Sequence, residues 1–178
     1  MKMTKAPVKY SLQRSYVKLM MDVIGRGLVT ASQVDPEIQA EIAKFPDNFI
    51  LSMNVFPNGP AFIAQVTPNK QLQLLQTYTH KPDLTITFKH LNHAYLVFSF
   101  QESTAQAFAN DRMIADGDLS YAVRLVRCLN KMEALILPKF MASMAVKEYP
   151  KSLGFKEKIK AASSIYCKIA QSYIKGNV

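Results

Sequence analysis

A chain of 178 residues that is 49% hydrophobic is long enough to bury a core without staples and too apolar to be disordered, which favours one globular unit. Two cysteines, Cys128 and Cys167, make no disulfide framework, and no apolar leader with a small-residue cleavage site follows the early lysines, so the expected setting is a reducing cytoplasm. The net charge of +9 is concentrated at the ends: residues 1–30 carry +5, residues 139–178 carry +6, and the stretch between carries −2. That is the layout of appendages meeting a negative surface, either a membrane or nucleic acid, or of helices with solvated lysine faces.

In chain order, Leu12, Tyr16, Leu19, Met20, Val23 and Ile24 recur at helical spacing. They predict a helix from about residue 10 that Gly25 and Gly27 stop. Asp35-Pro36 reads as an N-cap followed by proline at the first helical position, and Pro46 closes that short helix. Strand patterns follow. Residues 49–56 put Leu51, Met53 and Val55 on one face and Ser52 and Asn54 on the other. The Pro57-Asn58-Gly59-Pro60 turn makes a hairpin into residues 61–66, and residues 71–74 alternate after a second turn. Residues 83–88 alternate again, with Leu84, Ile86 and Phe88 inward.

Helical spacing returns at Leu91, Tyr95 and Phe98, and residues 105–110 form another short helical turn. A fifth strand is expected at 112–115, ended by Gly117. A long helix from Leu119 carries Ala122, Leu125, Val126, Leu129, Met132 and Ile136 up to Pro138. A second piece spans about 139–149. A last helix, about 156–175, sets Ile159, Ala162, Tyr166, Ile169 and Tyr173 on one stripe and Lys160, Lys168 and Lys175 on the other side. The expected fold is α+β: a mainly antiparallel five-stranded sheet covered by helices on one face, with extra helices at both ends. The division is N-terminal helices at 1–46, a core at 47–137 and basic amphipathic helices at 138–178.

Motifs for chemistry are sparse. His90-x-x-His93 is the only paired-imidazole spacing, and no third ligand stands near it, so no metal is expected. No nucleophile elbow occurs, Cys128 falls mid-helix among apolar neighbours, and Cys167 lies beside an apolar stripe. Gly25-Arg26-Gly27 lacks the ending of a phosphate loop, and Asp116-Gly117-Asp118 lacks the remaining positions of a calcium loop. Asp118 reads instead as an N-cap. The strands carry almost no basic residues, which argues against nucleic-acid readout. No catalytic residue and no cofactor is expected.

One ordered series is more specific. A strand Asp83-Leu84-Thr85-Ile86-Thr87-Phe88 is followed by a helix with Ala94-Tyr95-Leu96-Val97, then by Ala107-Phe108, Arg112-Met113, Gly117-Asp118 and a helix with Ala122 and Leu125. This series resembles the sterol carrier protein 2 family over about residues 47–137, with Asp111 standing where the family has glycine before the fifth strand. The resemblance implies a sheet under helices with an apolar tunnel between the layers, no catalytic residues, and sterol-like, fatty acyl or isoprenoid ligands. Some bacterial relatives are accessory factors of ubiquinone biosynthesis.

Together these readings give an expectation of non-catalytic binding, carrying or presentation of an apolar lipid. The alternative is an accessory scaffold of a lipid or ubiquinone pathway, with pathway enzymes as partners. Leu74, Ile86, Phe88, Tyr95, Phe98, Phe108, Met113, Val126, Leu129 and Met132 are the expected lining. Lys160, Lys168 and Lys175 are the expected contacts to an anionic membrane, with the protein peripheral on its inner face.

Overall fold

The computed structural model describes residues 8–78 and 80–136, together with 163, 167, 168, 170, 171 and 174. Five helices and five strands follow one another among the described residues: α1 (Val8–Val34), α2 (Pro36–Ile42), β1 (Ile50–Val55), β2 (Ala61–Val66), β3 (Leu72–Leu75), β4 (Leu84–Phe88), α3 (Leu91–Phe98), α4 (Thr104–Ala109), β5 (Met113–Gly117) and α5 (Leu119–Ile136). The sheet order is β3-β2-β1-β4-β5. Three neighbouring pairs are antiparallel and β1 with β4 is parallel. The class is therefore α+β with a mainly antiparallel sheet.

Register explains the alternation in the sequence. Leu51 opposes Ala64 and Leu84, and Met53 opposes Phe62 and Ile86; Phe88 opposes Val55 and Met113. Side chains directly opposite one another share a face, so one continuous apolar face runs across the sheet, and all of these residues are buried. The helices cover that face. Phe98 of α3 meets Phe88 edge-on at 5.2 Å between ring centres, and Tyr121 of α5 stacks on Phe45 and Phe49.

The first helix departs from expectation: it runs straight through Gly25 and Gly27 to Val34. Gly25 faces the sheet, where an added Cβ would sit 3.1 Å from the Phe62 ring and 3.4 Å from Leu74. The glycine lets helix and sheet approach each other, and its helix penalty of about 1 kcal/mol is offset by the packing around it. The expected apolar stripe is also partly misplaced. Leu12 and Leu19 are 67% and 57% exposed, while Val17, Met21, Ile24 and Leu28 are buried. This buried set shares one core with the strands and with Ile38 and Ile42 of α2.

Other local signals are met directly. Asp35 caps α2 through its carboxylate, which accepts from the amides of Glu37 and Ile38 at 3.0 and 2.9 Å. Asp118 accepts from the Ser120 amide at 2.7 Å at the start of α5, and these Ser120 hydrogen bonds hold its carboxyl below the usual range. Asp83, the first residue of the motif strand, accepts from the Ile50 amide at 2.8 Å and so ties the start of β4 to β1. Asp111 adopts a left-handed φ of 56°, the backbone region that glycine favours and aspartate tolerates.

A buried carboxylate organises the path from α3 to β5. Glu102, 8% exposed, accepts from Asn110 at 2.6 Å and from the Arg112 guanidinium at 2.9 Å. Removing it strands Arg112 and Asn110. Glu102→Ala is expected to lower unfolding stability by about 2 kcal/mol, since losing one partner of a buried pair costs more than the pair contributes net. Urea melts of the single variants and of the double variant with Arg112→Ala measure it. A loss below about 0.5 kcal/mol in the single variant would show the pair to behave as an ordinary surface contact.

The residues described in the last segment, including Cys167, Lys168 and Ile174, are exposed and helical. The helix expected at 139–149, the stripe Ile159, Ala162, Tyr166, Ile169 and Tyr173, and Lys160 and Lys175 lie outside the described residues. No helix among the described residues is long and apolar enough to cross a membrane.

Candidate functional site

The neighbouring helices α1 and α3 leave a groove of about 580 Å³ between them, lined by Leu12, Gln13 and Tyr16 on one side and by Asn92, Tyr95 and Leu96 on the other, with Gln101 at one end. That volume is in the range of small-molecule sites. A neighbouring cavity of about 220 Å³ shares Gln13 and Asn92 and adds Arg14, His90 and the β1–β2 turn around Phe56 and Pro57. Arg14 there donates to the Asn58 carbonyl at 2.9 Å, pinning α1 to that turn.

Two phenol rings meet in the groove. Tyr16 and Tyr95 are edge-on with centres 5.5 Å apart. The Tyr16 hydroxyl donates to the Phe98 carbonyl at 2.9 Å. Burial, and then the neighbouring Tyr95, raise the Tyr16 phenol above its ordinary value of 10.0. The link inward is the Tyr16 hydrogen bond to the Phe98 main chain, and the Phe98 ring packs on Phe88 of the sheet.

Of the ten residues expected to line a ligand space, Tyr95 lines this groove. Ile86, Phe88, Phe98, Met113, Leu129 and Met132 are buried in the core, and Leu74 and Phe108 are half-buried against it. Val126 is half-buried on α5. The other six lining residues, Leu12, Gln13, Tyr16, Asn92, Leu96 and Gln101, are not among the lining expected from the sequence. Leu12 and Tyr16 read as members of the α1 stripe and Leu96 as part of the motif helix, while nothing local links Gln13 to Asn92 and Gln101.

The other titratable groups have structural explanations. Cys128 is buried, and burial, followed by the charges of Glu41 and Asp35, pushes its thiol up to about 12, so no thiolate forms near neutrality. It borders a charged cleft of about 310 Å³ between α2 and α5. There Lys131 meets Glu37 at 2.8 Å and Arg127 reaches Glu41 at 3.7 Å, a carboxylate that Arg124 also engages at 2.8 Å, so each of these cations faces a carboxylate. His90 and His93 stack at 5.1 Å. His93 is half-buried rather than on the surface, and its Nδ1 makes no hydrogen bond. Burial, then the charges of His90 and Arg112, lower its pKa. Among the described residues no group of three His, Cys, Asp or Glu side chains is placed to hold a metal.

No protein-family model matches the chain, and no curated protein matches its sequence. Solved structures do share similarity with it. The solved structures it resembles include sterol carrier protein 2 domains. A UbiJ-SCP2 ubiquinone synthesis protein is 12% identical, with a TM-score of 0.43 over 71% of this chain and 100% of the other. Sterol carrier protein 2 from Yarrowia lipolytica, in its apo form, is 17% identical, with a TM-score of 0.44 over 64% of this chain and 89% of the other. Sterol carrier protein 2 like 2 from Aedes aegypti is 15% identical, with a TM-score of 0.33 over 55% and 94%.

Proposed function

We propose that this protein binds an apolar lipid without chemically transforming it, with the tail against the helix-covered face of the sheet. The observation that carries the reading is the junction at Tyr95. The same side chain lines an open groove and, through Tyr16, Phe98 and Phe88, adjoins the buried apolar layer. The ordered motif series from Asp83 to Leu125 supports it. The tail-facing set is Ile86, Phe88, Phe98, Met113, Leu129 and Met132, with Tyr95 at the mouth.

Each buried methylene contributes roughly 0.8 kcal/mol, so a tail of about ten methylenes supplies on the order of 8 kcal/mol before ordering costs. Affinity then comes from area and adaptable packing, and no catalytic group is required. The basic terminal segments, with Lys168 exposed, would bring the protein to an anionic membrane surface, each lysine adding about 1 kcal/mol near it.

Native mass spectrometry of the protein purified from its own host tests the reading. The expected result is a co-purifying lipid, identified after extraction. A protein that is empty, and that stays empty when incubated with added lipid, would overturn the reading in favour of a scaffold for pathway enzymes.

A further inference from the structure

The groove between α1 and α3 has walls of a consistent chemistry. Its polar groups are three carboxamides, Gln13, Asn92 and Gln101, and two phenols; its apolar groups are Leu12 and Leu96. No lysine, arginine, histidine or carboxylate lines it among the described residues. Gln13 and Asn92 make no side-chain hydrogen bond to any described residue, and they lie on the boundary shared with the smaller cavity. Gln101 spends its amide on the Ser99 hydroxyl at 2.7 Å, which leaves its carbonyl oxygen as an acceptor. The Tyr16 hydroxyl spends its proton on Phe98 and keeps an oxygen lone pair free.

We propose that this groove holds the head of the bound lipid and selects an uncharged, hydroxyl-bearing head over a carboxylate or phosphate. The inference rests on the lipid-binding reading above and narrows it to neutral amphiphiles. Carboxamides both donate and accept, so Gln13, Asn92 and Gln101 can satisfy a hydroxyl, which does the same. An anionic head offers acceptors only and meets no cation in the groove, whose rim at Leu12, Asn92 and Gln101 is exposed and whose floor at Tyr16 and Tyr95 is half-buried. Held against the half-buried phenols of Tyr16 and Tyr95, an unmatched charge pays a desolvation cost that a neutral group does not. The raised pKa of Tyr16 reports the same bias, since this position already disfavours negative charge on its own phenol. Arg14, which lines the neighbouring cavity, is engaged with the Asn58 carbonyl.

The test uses a matched pair of probes, a pyrene-labelled fatty alcohol and the fatty acid of the same chain length. Binding to the full chain is followed by pyrene emission at about pH 8, where the acid is ionised. The expected result is that the alcohol binds at least about tenfold tighter. Gln101 is exposed, so Gln101→Lys introduces a cation without disturbing packing and should shift the preference toward the acid. Gln13→Leu should erode the alcohol's advantage severalfold. Arg14→Gln should leave the ratio of the two affinities unchanged, because Arg14 does not line the groove.

Equal or tighter binding of the acid by the natural sequence overturns this inference and leaves the lipid-binding reading standing. So does acid binding that depends on Arg14, or a Gln101→Lys protein whose preference does not move. Binding of neither probe overturns both. Should Gln13→Leu fail to fold, Gln101→Lys alone decides between the outcomes.

Discussion

Replacing Gly117 by alanine is expected to cost about 3 kcal/mol of stability, and more with a larger side chain. Gly117 ends β5 at φ 136°, a region that side chains rarely enter. An added Cβ would lie 2.5 Å from the Asp83 carbonyl oxygen and 3.1 Å from the Leu84 Cα. Both are backbone atoms where the chain enters β4, the strand with which β5 pairs, at the register point Leu84–Gly117. Neither can swing aside as a side-chain tip would, so the strands must part or the backbone must refold. In a domain of this size 1 kcal/mol corresponds to roughly 2–4 °C, which predicts a Tm lowered by roughly 6–12 °C. Asp116→Ala is the control. It removes only the exposed ion pair with Lys81 and should change stability by less than about 0.5 kcal/mol. A Gly117→Ala protein within about 1 kcal/mol of the natural one would mean that the end of β5 yields far more easily than its geometry implies.

The second large effect concerns Glu133 on α5. Burial alone pushes its carboxyl up to about 7 from an ordinary 4.5, and no described residue offers it an ion pair. The folded state therefore holds a proton that the unfolded state has released. The stability due to this group is fully present below about pH 4.5 and is lost as pH rises through about 7. A shift of this size corresponds to about 3 kcal/mol; partial exposure of the residue brings the expected loss nearer to 2 kcal/mol. His93 acts in the opposite sense, because its lowered pKa adds stability as pH rises to 6.5. The decline is therefore clearest above that value. Glu133→Gln should flatten the profile between about pH 6.5 and 8 and make the protein more stable at the upper end. Urea melts across that range measure both. A variant that declines as steeply as the natural protein would rule out Glu133 as the source.

Local patterns told much of this fold. Period-two alternation at Leu51, Met53 and Val55, and again at Leu84, Ile86 and Phe88, identified strands whose apolar sides lie on one face. Asp35-Pro36 announced a helix start because capping is a contact over two or three residues. The glycines of α1 misled for the complementary reason. Gly25 serves a contact with Phe62, thirty-seven positions further on in sequence, and local propensity cannot register it. The Glu102 clamp was equally hidden, since nothing in a lone glutamate announces that Asn110 and Arg112 will turn back onto it.

The candidate site was less legible than the fold. Tyr95 was visible as a helical apolar position. The rest of the groove depends on which side of α1 faces α3, and Leu12 and Tyr16 both fit a helical stripe while only Tyr16 packs against the core. A stripe written in residue types fixes the periodicity of a helix more firmly than its rotation about its own axis.

The order of synthesis gives α1 a problem of timing. Its apolar side, from Val17 to Leu28, packs against β2, β3 and α3, all of which leave the ribosome later. At about 5–20 residues per second, the stretch from Leu28 to Phe98 takes roughly 4–14 s, during which α2, β2 and β3 emerge in turn and that side is only partly covered until α3 is complete. A nascent helix in this state is a substrate for hydrophobic-segment chaperones, and codons that slow translation between β1 and α3 would lengthen its exposure. The yield of folded protein in a cell then depends on translation speed through this interval as well as on the final stability of the domain.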